Sequence, residues 1–428
     1  MNANRKHLKK VVGVLSGLLL INALLILTTG VGVQPAQAAL IRRRTPTPTR
    51  TPTPSNTPTP INTPTPQPSA CWTVVPGPAV AGYGAVLRAV AGSADNDVWA
   101  VGWFDNNSSR HTLILHWDGS RWQVVPSPDV VNAGNNSINA LYGVAAVASN
   151  DVWAVGYAVS LSTPYQTVTL HWDGSTWQVV PSPNVNAPGF YNALNSVVAI
   201  SSNDVWAVGG VPADLSSVNG RSLLMHWNGS AWQLVPEPSE VATWSTTTRT
   251  GVTARASNDV WAVGQFSAWH WDGSTWSVPS GFSGQNLLGI DSNGNALWSA
   301  GTNPGYNPSE GGPVPPSPNA QYFDGTAWHM TSPVNPGSGA GFNSIKVLSA
   351  SNVWAVGYAG KFTLTEKWNG SQWTTLPSAN GNPNPPANVS VANVLLNVNG
   401  TSTGLWAVGY YLDAAYAQRI LIERYTCQ

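Results

Sequence analysis

Acidic and histidine side chains recur at fixed positions along this chain, and such groups serve as metal ligands and as general acids and bases. Eight aspartates lie at two kinds of turn, and four of the seven histidines share one repeated position. They are Asp97, Asp151, Asp204, Asp259, Asp118, Asp173, Asp272, Asp324, His116, His171, His226 and His270. A site needs such groups to converge, whereas copies of one repeat position are expected to lie far apart. Because a short acid at a turn bonds its own backbone, we interpret both sets as structural.

Other catalytic signatures are absent from the sequence. It contains no HExxH, calcium-loop, phosphate-loop or dinucleotide-binding motif, so we predict neither metal nor cofactor. The remaining eleven acids include neighbours such as Glu237 and Glu240, but no pattern marks an acid and a base. Since the two carboxylates of a glycosidase can come from distant parts of a chain, a polysaccharide-acting hydrolase or lyase stays an alternative to a protein without catalytic activity, which we favour.

An internal repeat must position all of these residues. The tetrad Trp-Ala-Val-Gly, once as Trp-Ser-Ala-Gly, occurs seven times at spacings of 54, 53, 55, 37, 56 and 52 residues. It begins at Trp99, Trp153, Trp206, Trp261, Trp298, Trp354 and Trp406. A second signature, His-Trp-Asp/Asn-Gly-Ser-x-Trp, begins at the four repeated histidines and, in altered form, at Tyr322 and Lys367. Such a period predicts stacked units of one supersecondary motif.

One unit is expected to contain four short strands, over residues 141–148, 152–157, 167–172 and 177–180. The second strand is apolar at four successive positions, which indicates a sheet buried on both faces. Seven such sheets packed radially make an all-β, seven-bladed β-propeller of four-stranded antiparallel blades. A linear solenoid is the alternative, but it needs atypical capping repeats at its ends.

The chain ends support a closed ring. Trp72 matches the fourth-strand position of Trp177, and Tyr425 matches the third-strand position of Trp172, so the N-terminal strand is expected to complete the C-terminal blade. Cys71 and Cys427, the two cysteines of the chain, fall two residues apart in that turn. This separation predicts a disulfide rather than two free thiols.

The segments before the repeat predict export. Residues 1–38 have a basic start, a long apolar stretch and Ala36 and Ala38 before a cleavage point, which is typical of a signal peptide; an uncleaved membrane anchor is the competing interpretation. Residues 39–69 form a Thr/Pro-rich disordered linker, and 70–428 form the propeller. From residue 70 onward 11 Lys and Arg face 19 Asp and Glu, a net charge of −8 that argues against nucleic acid.

Two connections per unit vary in length, one between the second and third strands and one between units. Both must emerge at the same end of the blades, which we name the variable end, and functional residues favour variable loops on a rigid frame. Its candidate binding residues are Trp103, Asp105, Arg110, Tyr165, Phe190, Tyr191, Arg221, Trp244, Tyr306, Phe342, Tyr410 and Tyr411. A second set varies in kind near the start of the first strands and is predicted either to line the mouth of the central channel or to be ordinary solvated strand ends: Arg88, Tyr142, Asn195, Thr250 and Asn343.

The copies of VWAVG…LHWDGSxWQVVPSP resemble the repeats of secreted bacterial β-propellers in the kelch/galactose-oxidase-like group, and also tectonin-type lectin repeats. The resemblance covers about residues 71–428. The tectonin likeness implies glycan binding. The oxidases of the first group use a copper site with a cysteine–tyrosine crosslink, whereas both cysteines here are assigned to ring closure.

The sequence therefore predicts a secreted or cell-surface protein, monomeric and without catalytic activity, that recognises a glycan or an extracellular protein through its variable end. It would touch a membrane only through an uncleaved anchor. A hydrolase or lyase on the same scaffold and a structural envelope protein are the alternatives.

Overall fold

The computed structural model describes residues 71–427 except 107, 132–135, 188–190, 212–220, 239–247, 266, 280–285, 304, 308–311, 338 and 402. The predicted signal peptide and linker lie outside the described residues. In the described part every regular element is a β-strand, and it contains no helix of the length and hydrophobicity needed to cross a membrane.

The described strands form seven four-stranded antiparallel arrays. Array 1 contains β2 (Gly84–Ala94), β3 (Asp97–Asn106), β4 (Ser109–Trp117) and β5 (Trp122–Val124); array 2 contains β6 (Ile138–Ala148), β7 (Asp151–Val159), β8 (Gln166–Trp172) and β9 (Trp177–Val179). Array 3 contains β10 (Ala193–Ser201), β11 (Asp204–Gly210), β12 (Leu223–Trp227) and β13 (Trp232–Leu234); array 4 contains β14 (Arg249–Ala256), β15 (Asp259–Gly264), β16 (Ser267–Trp271) and β17 (Trp276–Ser277).

Array 5 contains β18 (Asn286–Asn293), β19 (Ala296–Asn303), β22 (Ser317–Phe323) and β23 (Trp328–Met330), with a small hairpin of β20 (Tyr306–Asn307) and β21 (Gly312–Pro313) in its long connection. Array 6 contains β24 (Ala340–Ser349), β25 (Asn352–Ala359), β26 (Phe362–Trp368) and β27 (Trp373–Thr375). Array 7 contains β28 (Asn393–Gly400), β29 (Leu405–Leu412), β30 (Gln418–Tyr425) and the N-terminal β1 (Trp72–Val74). Arrays 1 and 2 share one sheet through a single parallel pair, Arg110 with Ile138.

Tryptophan packing explains why the tetrad recurs. Each tetrad tryptophan contacts two aromatic rings of the next array along the chain, at centroid distances between 4.6 and 5.8 Å. Trp406 of array 7 packs in the same way on Trp117 and Trp122 of array 1, at 4.9 and 5.2 Å. A large ring buried between neighbouring sheets supplies much of the apolar area that holds them together.

The junction of the two chain ends has the predicted register. Trp72 pairs with Tyr425 across β1 and β30. Cys71 and Cys427 form a disulfide, with their Cα atoms 5.0 Å apart. Arrays 1 and 7 are also joined by the backbone N–H of Val90, which donates to Asn397 Oδ1 at 3.0 Å. The predicted disulfide is therefore confirmed.

The aspartates divide into two structural classes, and the first makes the predicted bonds to its own backbone. Asp118, like its equivalents Asp173, Asp272 and Asp324, accepts the backbone N–H groups two and three residues onward. These bonds favour the carboxylate, and they lower the pKa of Asp272 to about 2.

The other class is also structural, but through side-chain contacts rather than the predicted bonds to its own backbone. Asp97, Asp151, Asp204 and Asp259 contact the repeated histidines of the adjoining third strand at 2.6, 2.8, 2.8 and 3.0 Å. Each imidazole also packs on its tetrad tryptophan, at 4.2 to 4.5 Å between centroids. Aspartate, histidine and tryptophan thus form one cross-strand unit, which supports the structural role predicted for the histidines.

Candidate functional site

A cavity of about 450 Å³ is lined by residues of the first strand of every array, β2, β6, β10, β14, β18, β24 and β28. Gly143 and Gly289 let neighbouring first strands approach closely, because an added Cβ at either would lie within about 3 Å of the neighbouring strand's backbone.

A β-bulge occurs in the first strand of every array, and its residue lines the cavity. In each first strand the pairing register skips one residue at the same place, and a bulge frees a residue from the ladder and redirects its side chain. The seven skipped residues are Arg88, Tyr142, Asn195, Thr250, Leu288, Asn343 and Leu396, and all seven line the cavity. We name them the mouth ring.

The five residues predicted for the channel mouth all belong to this ring, and the repeat alignment did not supply Leu288 or Leu396. Three of the predicted residues also hold neighbouring arrays together. Asn195 Nδ2 donates to Arg249 O at 3.0 Å, Thr250 Oγ1 to Leu287 O at 2.8 Å, and Asn343 Nδ2 to Leu395 O at 2.8 Å. The mouth ring therefore has a structural role in addition to any contact with a ligand.

Arg88 and Tyr142 make aromatic contacts instead. The Arg88 guanidinium carbon lies 4.8 Å from the centre of the Tyr142 ring and 4.9 Å from that of Trp103. On the other side, the guanidinium of Arg110 lies 4.5 Å from the Trp103 ring. One indole thus contacts two cations, an arrangement that stabilises charge in a partly desolvated place.

The two arginines differ in their pairing. Arg110 Nε donates to Asp105 Oδ1 at 2.9 Å. Burial opposes the charge of Arg110, but the neighbouring Asp105 carboxylate raises the pKa of the guanidinium above its ordinary value. For Arg88 no carboxylate among the described residues is a partner, and its buried Nε has no hydrogen-bond acceptor among them.

A ladder of aromatic rings leads from the mouth ring to the surface. Trp103 contacts Tyr142 at 5.4 Å, Tyr142 contacts Tyr157 at 5.6 Å, Tyr157 contacts Tyr165 at 5.5 Å, and Tyr165 contacts Tyr191 at 5.4 Å. The inner three rings are buried and the outer two are half-buried. Tyr410 packs on the same cluster; burial raises its pKa, against the opposing charge of Arg88.

The structure corrects the predicted positions of several candidates. Trp103, Asp105 and Arg110 lie on paired strands rather than in a loop, because β3 and β4 stay paired as far as Asn106 and Ser109. Phe342 is 0% exposed and packs on Trp373, so it belongs to the core and not to the surface. The alternation of its strand turns this side chain inward.

The remaining candidates are separate from the ladder. Arg221 is half-exposed and pairs with Glu237 at 2.5 Å, while Tyr411 packs on a different core cluster. Phe190 and Trp244 lie outside the described residues, and the side chain of Tyr306 does so as well.

The variable end also carries exposed apolar side chains, of which only Tyr83 is evident from the sequence as an aromatic residue of this end. Apart from outer-strand residues, every large apolar side chain that is exposed in the described part lies at this end. They are Tyr83 (71% exposed), Leu161 (54%), Val334 (41%), Phe362 (46%) and Tyr416 (51%). The fixed turns at the opposite end show none among their described residues.

Charged groups at the other end of the cavity are paired. Asp291, the one acid among the described lining residues, contacts Lys346 Nζ at 3.2 Å and accepts the N–H of Val347 at 2.7 Å. Across the described residues, no three His, Cys, Asp or Glu side chains are arranged to hold a metal ion.

Comparison with solved structures places this architecture. YCF48 bound to a D1 peptide matches with a TM-score of 0.51 and 14% identity over 84% of this chain and 97% of its own. A GH74 xyloglucanase from Xanthomonas campestris matches with a TM-score of 0.51 and 12% identity over 82% of this chain and 55% of its own. The chain has a β-propeller fold. At such identities the likeness shows the fold alone, and neither kelch nor tectonin membership is supported. No family model matches the sequence, and no curated protein does.

Proposed function

We propose that this chain is a monomeric, exported, closed seven-bladed propeller that binds a glycan or an extracellular protein through its variable end without catalysing a reaction. The contacts of Trp406 with array 1 and the Cys71–Cys427 disulfide support closure into a ring. The disulfide also fits an oxidising compartment outside the cytosol.

The observation that carries the proposal is the confinement of exposed apolar side chains to one end. Tyr83, Phe362 and Tyr416 are each about half exposed or more, although nothing in the packing of the arrays requires it. Clustered exposed aromatic side chains mark surfaces that lose water on binding. Aromatic faces beside amides also suit the apolar faces and hydroxyl groups of sugar rings.

The arrangement of acids supports binding over hydrolysis. Hydrolysis of a glycosidic bond by the usual route needs two carboxyl groups about 5 to 9.5 Å apart, one of them able to donate a proton. Asp291 has no second acid beside it among the described cavity residues, and it is paired with Lys346. This region therefore offers no acid–base pair.

The test is a binding screen of the purified protein on arrays of glycans, envelope polysaccharides and extended peptides, with product release assayed in the same wells. We expect binding without turnover. The triple variant Tyr83→Ser/Phe362→Ser/Tyr416→Ser should lose at least tenfold in affinity, because each side chain buries apolar area on binding.

A matched control is available on the outer strands. Val124 and Val179 are 47% and 45% exposed there, so Val124→Ser/Val179→Ser makes the same kind of apolar-to-serine change away from the variable end. This control should bind like the native protein. Turnover, or equal loss in both variants, would contradict the proposal.

A further inference from the structure

We propose that Arg88 makes the cavity mouth a subsite for a carboxylate, and that the occupant is a uronic acid residue of an acidic glycan. This inference rests on the proposed binding function and names the class of ligand.

Arg88 is the one charged member of the mouth ring, half-buried, and it lies at the cavity without a carboxylate partner among the described residues. A guanidinium in a partly desolvated place normally has an anionic partner, because desolvation of an unpaired charge is costly. The nearby Asp105 does not serve, since it pairs with Arg110. An anion from outside the chain would complete the arrangement.

The two aromatic rings beside Arg88 orient its guanidinium. Trp103 and Tyr142 contact the guanidinium through their ring faces. Contacts of this kind hold the plane of the guanidinium in place and leave its N–H edge for hydrogen bonding. That edge matches the two oxygens of a carboxylate, which it can bind in a bidentate manner.

The cavity volume and its other polar groups suit a sugar. A volume of about 450 Å³ lies in the lower range of small-molecule sites and admits one or two sugar rings. Asn343, which also lines the cavity, donates its amide N–H to Leu395 O at 2.8 Å, so its side-chain carbonyl is the atom that can accept a sugar hydroxyl. Tyr142 offers an aromatic surface beside the cation. A carboxylate on a hydroxylated ring combines these features.

The test is isothermal titration of the full chain with trigalacturonate and with its fully methyl-esterified form, at about 0.15 M salt, which screens distant charges. The native protein should bind one trigalacturonate per chain, and the ester at least tenfold more weakly. Arg88→Gln should lose at least tenfold for the acid and nothing for the ester. Arg88→Lys keeps the charge without the planar fork, so its affinity for the acid should lie between that of the native protein and that of Arg88→Gln.

Arg121→Gln is the matched control, since Arg121 is a 74% exposed arginine on a fixed turn; it should bind as the native protein does. Equal affinity of the native protein for acid and ester would overturn the proposal, even if Arg88→Gln failed to fold. So would unchanged binding by a folded Arg88→Gln, or binding of a peptide with a free C-terminal carboxylate but not of trigalacturonate. Binding of glycans without uronic acids in the screen, but of none with them, would refute this subsite alone. The absence of binding to any glycan or peptide in the screen would refute the proposed function as well.

Discussion

Two buried glutamates should make this propeller less stable as the pH rises through neutrality. Glu366 on β26 and Glu423 on β30 occupy the same place in their arrays, opposite Ala355 and Ala407 of the tetrad strands, and both are 0% exposed. Glu366 accepts one hydrogen bond from Val334 N–H at 3.0 Å, and Glu423 accepts one from Ser378 Oγ at 2.6 Å. In each, the other carboxyl oxygen has no partner among the described residues.

Burial raises the pKa of Glu423 to about 8 and that of Glu366 to about 7, from an ordinary value of 4.5. Between the ordinary pKa of 4.5 and the raised pKa of each group, the carboxyl is therefore protonated in the folded chain and ionised in the unfolded chain. Their contribution to stability is complete below pH 4.5 and declines as the pH rises toward 7 and 8. At about 1.4 kcal/mol per pKa unit, the whole decline is about 5 kcal/mol for Glu423 and about 3 kcal/mol for Glu366.

The assay is thermal and urea unfolding between pH 5 and pH 8. The native protein should lose stability across this range, and Glu423→Gln should reduce the slope by about 1.4 kcal/mol per pH unit over most of it. Array 5 supplies the reciprocal variant, because Gln321 fills the equivalent place opposite Ser299 and is also 0% exposed. Gln321→Glu should add a slope of the same sign. A Glu423→Gln profile as steep as the native one would refute the argument.

Three further predictions concern the frame. Reduction of the Cys71–Cys427 disulfide should destabilise the fold by up to about 5 kcal/mol in the chain-entropy model; the melting temperature with and without reductant measures this, and the double serine variant should not respond to reductant. Trp406→Ala should cost about 3 to 5 kcal/mol in urea unfolding because the ring is fully buried between arrays 7 and 1; an unchanged midpoint would contradict the closure contact. His171→Ala and Asp151→Asn should each lower the free energy of unfolding in urea by about 1 to 2 kcal/mol, and the double variant should lower it by less than their sum, since the two side chains share one contact. Strictly additive losses would exclude coupling between the two side chains.

The repeated sequence motif was sufficient to predict the strand pattern because its signals are local. Turn residues, apolar runs and the spacing of tryptophans each depend on a few neighbouring positions, and the disulfide followed from aligning Cys71 and Cys427 on one repeat. The predicted strands of array 2 differ from β6 to β9 by at most three residues at any end. Regular repetition makes such alignment reliable.

The candidate site was harder to predict because it depends on irregularities. The mouth ring is defined by bulges, and a one-residue register skip leaves no distinct mark in the sequence. Phe342 illustrates the same limit, since its aromatic character gave no sign of which way its strand would turn it. Tyr416 and Phe362 were missed because their exposure depends on how closely the flanking strands are paired.

Hydrogen–deuterium exchange of the protein, with and without the strongest ligand from the glycan and peptide screen, tests whether the variable end is the binding surface. We expect slower exchange in connections at the variable end, such as residues 160–165 and 413–417, and no change in the Asp-Gly-Ser turns at the opposite end. Protection that centres on those turns or on the outer strands, with the variable end unchanged, would contradict this expectation.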